Sequence, residues 1–258
     1  MFDIQPQRKI SIPKTGYKGN IASSGSDAKT IKGNGDAYET AIAYLKPYKT
    51  MIDNKEYNTC SMASIASCHE GCLNSAGRGR FSNVQDGRLR KTILFYKDRA
   101  KFLALLAKDC EAMLRRSEKY GWQACMRLNG TTDIIYEKVS FIRNGVKYKN
   151  IFEAYPNIQF YDYTKIWTRN VKDIDNYHLT WSYSEASEWY ASKHKEALNN
   201  GMNIAVVFRS KKIPSTFLGL PVIDGDKDDL RFLDPKNCVV GLYAKGEAKN
   251  DKTGFVID

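Results

Sequence analysis

The chain has 258 residues, with 40 Lys and Arg against 29 Asp and Glu, so its formal charge is 40 − 29 = +11. An apolar content of 42%, with 12% aromatics, excludes a disordered chain and supplies enough burial for a self-sufficient core. No window approaches the roughly 20 apolar residues that span a bilayer, and the leading MFDIQPQRKI lacks a secretion signal, so a cytoplasmic protein without membrane contact is expected.

Residues 1–35 are rich in Lys, Gly and Ser and read as a flexible basic arm, leaving 36–258 as a single domain. The run from Glu39 to Tyr48 reads as a first strand, ended by Pro47, and a long loop containing three cysteines follows. From Asp98 to Tyr120, the positions Phe102, Leu106, Cys110 and Met113 form one stripe of a 3.6-period helix, with Gly121 as its stop. Further strands are expected at Gln123–Leu128, Ile158–Thr164, Tyr177–Tyr183, Asn203–Phe208, Pro221–Ile223 and Val239–Tyr243. Between two of these runs, Ser182 and Glu185 are spaced as a capping box for a helix that Gly201 terminates. Seven strands separated by helices or long connections predict an α/β fold built as a single (β/α) barrel of the TIM type, incomplete or slightly open.

The loop at residues 60–80 begins Cys60-SMASIAS-Cys68-HEG-Cys72, which places three thiols within thirteen residues. Six cysteines are too few for a disulfide scaffold, and a local cluster points instead to metal or redox chemistry. Three thiolates with no obvious fourth suit an iron–sulfur cluster with one open iron, or a zinc completed by His69, water or a remote residue. Cys110, Cys125 and Cys238 fall in apolar runs and read as core.

The cysteine loop, the later Arg127-Leu-Asn-Gly-Thr-Thr-Asp133 and the segment Phe160-Tyr-Asp-Tyr-Thr-Lys165 resemble a family of phage and prophage "gene product" proteins. These in turn resemble radical S-adenosylmethionine enzymes, and the likeness runs from about Cys60 to Gly246. The resemblance implies a barrel in which Cys60, Cys68 and Cys72 hold a four-iron, four-sulfur cluster whose remaining iron is chelated by S-adenosylmethionine. It also implies that Asn129, Gly130 and Asp133 form the turn that meets the methionyl amine, and that Asp162, Thr164 and Lys165 end the third strand. A phage-encoded chain would work in the host cytoplasm. The cysteine spacing departs from the radical-enzyme pattern, being seven then three rather than three then two.

In a barrel the functional side chains come from the carboxyl ends of the strands. That rule selects Arg127, Asn129, Asp133, Asp162, Thr164, Lys165, Ser182, Glu185, Arg209, Asp224, Asp226 and Lys245. Asp133, Asp162, Lys165 and Asp224 are the catalytic candidates, while Asn129, Gly130, Thr164 and Ser182 are candidates for holding a cofactor. Asp224 opens a run of four carboxylates in six residues, but the sixth and twelfth positions of an EF-hand loop would be Asp229 and Pro235, which excludes that motif. Arg78, Arg80, Arg88 and Arg90 place positive charge beside the cysteine loop, where a nucleic-acid backbone, a nucleotide or another anion could meet it.

Three functions follow as expectations. The first is an iron–sulfur, radical-enzyme-like barrel acting on nucleic acid or a nucleotide. The second is a zinc-containing barrel that modifies a nucleobase as transglycosylases do, with Asp133, Asp162 or Asp224 as the nucleophile. The third is a non-catalytic nucleic-acid-binding protein stabilised by a metal.

Overall fold

A computed structural model describes residues 17–24, 37–72, 74 and 76–258. The expected arm at 1–35 lies outside these apart from 17–24, where β1 (Ala22–Ser24) pairs antiparallel with β2 (Tyr38–Ala43). Each of the seven expected apolar runs forms a strand. After β2 come a hairpin of β3 (Lys49–Ile52) and β4 (Lys55–Asn58), then β5 (Gln123–Arg127). A second hairpin, β6 (Phe141–Arg143) and β7 (Val146–Tyr148), precedes β8 (Gln159–Thr164), β9 (Tyr177–Ser182) and β10 (Asn203–Phe208). The chain ends with β11 (Thr216–Phe217), β12 (Leu220–Asp224), β13 (Val239–Tyr243) and β14 (Val256–Ile257).

The large sheet runs β1-β2-β5-β8-β9-β10-β13-β12-β11, and its interior pairings from β2 to β12 are all parallel. The expected (β/α) or TIM barrel is not formed. The sheet is mixed and open: antiparallel β1 ends one edge, the β11–β12 hairpin ends the other, and no pairing joins these edges among the described residues. The connection from β10 to β13 is that hairpin and a short 3-10 turn, Arg231–Leu233, so the helical layer that would wrap a barrel is missing there.

Side chains alternate between the two faces of the sheet. Ala41, Met126, Phe160, Leu179, Trp181 and Val206 point to the larger core, which is covered by α1 (Ser82–Lys97) and α2 (Arg99–Tyr120). The α2 stripe is as the sequence spaces it: Phe102, Leu106, Cys110 and Met113 are fully buried, each contributing roughly 2 kcal/mol of burial. Asp98 caps the helix by accepting from Lys101 N at 3.1 Å, and Gly121 ends it at φ 71°. Cys125, Tyr161, Ala205, Cys238 and Val240 face the other way, into smaller clusters closed in part by Leu230 and Phe232.

After a four-residue helix α3 (Ile151–Ala154), the expected helix beyond β9 divides into α4 (Glu188–Ala191) and α5 (His194–Asn199). Its cap is Ser187, which accepts from Tyr190 N, whereas Ser182 is the last residue of β9; the capping-box reading of Ser182 and Glu185 is corrected accordingly.

Strand β10 changes partner along its length. Asn203–Ala205 pair with β9, whereas Val207 and Phe208 pair with β14. β14 therefore enters where β9 and β10 part, and the residues leading into it reach the carboxyl edge of the sheet.

Candidate functional site: a crevice at the carboxyl edge of the sheet

A cavity of about 270 Å³ opens at the carboxyl ends of β5, β8, β9, β10, β12 and β13. Open parallel sheets place their ligand crevices at this edge, for the same reason that barrels do: the loops converge there. The strand-end rule thus survives the loss of the barrel. Of the residues it selects, Arg127, Asn129, Asp133, Thr164, Lys165, Ser182, Asp226 and Lys245 line the cavity, together with Gly130 and the thiol-bearing Cys60, Cys68 and Cys72.

Asp162, Glu185, Arg209 and Asp224 are not in the lining. Asp162 lies completely buried beneath it. Glu185 is exposed and accepts from the Tyr183 hydroxyl at 3.1 Å. Arg209 donates to the carbonyls of Lys249 and Asp251. Asp224 is exposed, and its carboxylate accepts from Asp226 N at 2.9 Å, which is the work of a turn residue.

The turn after β5 is held at almost every polar atom. Asn129 N donates to Asp162 Oδ1 at 2.8 Å, while Asn129 Oδ1 accepts from Thr132 Oγ1 and Ile134 N. Gly130 N donates to Ala43 O, and a Cβ on Gly130 would lie 2.6 Å from Ile42 and 2.7 Å from Tyr44, so the turn can approach β2 this closely only with glycine. Asp133 fastens the end of β8: its carboxylate accepts from Thr164 Oγ1 and Lys165 N, each at 2.8 Å.

A residue the sequence reading missed completes this frame. Arg169, buried to 4% exposure, donates to Asp133 at 3.1 Å, to both oxygens of Glu137 and to the Tyr177 hydroxyl, which in turn donates to Asp162. Burial raises the Asp133 carboxyl against the pull of Arg169, and it lifts Asp162 to about 6 against the charge of Arg127. On the opposite wall Arg127 pairs with Asp229 at 2.6 Å, a partner supplied from a loop 102 residues away. Phe255, on the approach to β14, does line the cavity and is a second residue that the strand-end rule cannot find.

The cysteine loop folds as consecutive turns, with Ala66 N bonded to Met62 O and Cys68 N to Ala63 O. Ser184 Oγ pins it to the sheet through Ala66 O at 2.9 Å. All three thiols are half-buried on the cavity. Burial pushes Cys60 up to about 12 and raises Cys68, whose thiol Lys165 pulls back down. Cys60 Sγ lies 3.8 Å from Thr131 O and Cys68 Sγ 3.9 Å from Ala63 O, and each is close enough to Cys72 to be raised by it. His69 is turned to Ala63 O at 3.3 Å and packs on the Tyr48 ring. No group of three or more His, Cys, Asp or Glu among the described residues is placed to hold a metal ion. The expected zinc site, and metal binding in the sense of one ion gathered by these side chains, are corrected on that finding.

The four basic positions divide. Arg78 and Arg80 are exposed in the 3-10 turn Gly77–Arg80 that follows the thiols. Arg88 is buried, bonded to Asn74 O at 3.2 Å and to the Asn74 side chain, and it lies over the Tyr44 ring; Arg90 is half-buried on α1.

Fold and crevice together define an open, largely parallel α/β protein with a thiol-lined pocket at the carboxyl edge of its sheet. The family model described as Gene product 88 matches residues 20–258, and the chain belongs to that family, which bears out the phage-type gene-product resemblance at that level. No curated protein and no solved structure gives a match. No helix of the described residues is long and apolar enough to cross a membrane.

Proposed function

We propose that the chain is an enzyme that carries a four-iron, four-sulfide cluster on Cys60, Cys68 and Cys72, takes S-adenosylmethionine in the same cavity and acts on a nucleotide or nucleic-acid substrate. The observation that carries this reading is that three thiols from one loop line the same cavity as the carboxyl ends of the parallel strands. The donor set fits a cluster better than an ion. A cubane binds each thiolate through a different iron, so its ligands surround a volume and need not meet at one point. Three protein thiolates leave one iron for a further ligand, and such a cluster supplies single electrons to a bound sulfonium compound.

The remaining work falls to the chain's own residues. Asp162 and Arg169 fix the Asn129–Asp133 turn, which presents Asn129, Gly130 and Thr132 to the cavity. The thiols of Cys60 and Cys68 must give up their protons when iron is bound, so loading is favoured by raising pH. Arg78 and Arg80 lie exposed beside the loop and suit phosphate groups of a polynucleotide.

The test is anaerobic reconstitution of the full chain with iron and sulfide, followed by electron paramagnetic resonance of the reduced protein. A cluster signal that changes on adding S-adenosylmethionine is expected. A cluster signal indifferent to it would remove the sulfonium cofactor, and a protein that takes up no cluster would remove the reading altogether.

A further inference from the structure

The charges around the cavity leave one cation over. Every carboxylate in its lining is matched: Asp133 by Arg169 at 3.1 Å, Asp228 by Arg231 at 2.9 Å, Asp229 by Arg127 at 2.6 Å, and Asp226 by Lys245. Lys165 also lines the cavity and makes no ion pair with a carboxylate among the described residues. Its Nζ instead donates to Ser182 Oγ at 2.8 Å, stands within hydrogen-bond reach of the Cys68 thiol and lies 5.2 Å from the centre of the Phe255 ring.

These three residues arrive from different elements. Lys165 directly follows β8, with its backbone fixed twice: its N–H goes to Asp133, and its carbonyl accepts from Trp181 Nε1 and the Tyr190 hydroxyl. Ser182 ends β9, and Phe255 comes from the segment that wedges in beside β10. An ammonium has three protons to donate; Ser182 takes one and the Cys68 thiol a second, which leaves the third for a ligand. Because the serine oxygen accepts from the lysine, its own proton is left to donate. Phe255 is only 7% exposed and shields the ammonium from water on one side, which strengthens any charge-assisted bond formed there.

We infer that Lys165 Nζ and Ser182 Oγ form an oxyanion subsite that anchors a carboxylate or phosphate of the molecule filling the cavity. The inference rests on the cavity being a ligand site but requires no cluster, so the two readings fail separately. The carboxylate and phosphate sources are separated by the probe.

Binding of S-adenosylmethionine, adenosine monophosphate and adenosine to the full chain is measured by calorimetry. The first carries a carboxylate, the second a phosphate and the third neither. Lys165→Met should weaken the oxyanion-bearing probe by about tenfold to a hundredfold, the loss of one charge-assisted contact, and leave adenosine unchanged. Ser182→Ala should give a smaller loss, and Lys165→Arg should retain most of the binding. Thermal melts of the variants matching wild type exclude misfolding as the cause. Equal losses for all three probes, no loss in Lys165→Met, or a wild type that prefers neither oxyanion probe to adenosine would overturn the subsite. The outcome of the iron assay stands independently of each.

Discussion

The backbone N–H of Asn129 is bonded to the carboxylate of Asp162 at 2.8 Å, and this contact joins the turn after β5 to the buried interior of β8. Asp162 also accepts from Asn129 Nδ2 and the Tyr177 hydroxyl. It supports the pocket floor without lining the cavity. Asp162→Ala strands a buried N–H and should cost about 1–3 kcal/mol, read as a lower denaturation midpoint. Unchanged stability would show that the turn does not depend on this bond.

Arg169 joins Asp133 and Glu137 in one buried cluster. Its replacement by Met leaves two carboxylates without their cation, and breaking a buried pair in this way costs about 3–5 kcal/mol. Chemical denaturation of Arg169→Met should register that loss. A loss within experimental error of zero would mean that the carboxylates take up protons or water at no cost.

Gly130 has no room for a methyl group, since its Cβ would fall within 2.7 Å of Ile42 and Tyr44. Gly130→Ala should destabilise by about 1–3 kcal/mol through overpacking and push the turn into the cavity. Thermal melting combined with ligand binding checks both parts. A variant with wild-type melting and binding would contradict the close approach.

His178 lies on the face of the sheet opposite the main core, with its Nε2 buried and without a hydrogen-bond partner. Burial, assisted by the charge of Arg231, lowers it from the usual 6.5 to about 4. Between those values the unfolded chain binds a proton that the folded chain refuses, so this residue's contribution is present near neutrality and lost as pH falls towards 4, by about 3 kcal/mol at most. Asp162 and Asp234, both raised to about 6 by burial, act with the opposite sign over the same range. Comparison with His178→Gln cancels them: the variant should lose less stability between pH 7 and pH 4.5 than the wild type does. Identical losses would contradict a buried neutral imidazole.

Much of the sheet was legible because its strands are continuous apolar runs buried on both faces, as in Asn203–Phe208, and the α2 stripe was legible because its period is regular. Closure was not legible. Runs announce strands, but whether the outermost two pair depends on edges such as Ala22–Ser24 and Thr216–Phe217, which are only three and two residues long. The β6–β7 hairpin did carry a signal in Asn144-Gly145, both at positive φ, and Asp53-Asn54 between β3 and β4 does the same.

At the site, the strand-end rule located Asn129, Asp133, Lys165 and Ser182. It could not reveal that Asp162 stays beneath the cavity: Thr164, two residues further on and on the same face of β8, reaches the lining, and only the depth of each position along the strand separates them. Arg169 and Phe255 were beyond reach: one acts through partners 32 and 36 residues away, and the other depends on β14 entering beside β10.

The central claim is that the three cavity thiols carry a cluster, and its most direct test is the iron and acid-labile sulfide content of the anaerobically reconstituted chain. Wild type and a variant lacking the buried Cys110, Cys125 and Cys238 should each bind about four irons and four sulfides. Ala in place of Cys60, Cys68 and Cys72 together should abolish both. A wild-type chain free of iron, or iron uptake that persists without the three cavity thiols, would contradict the account.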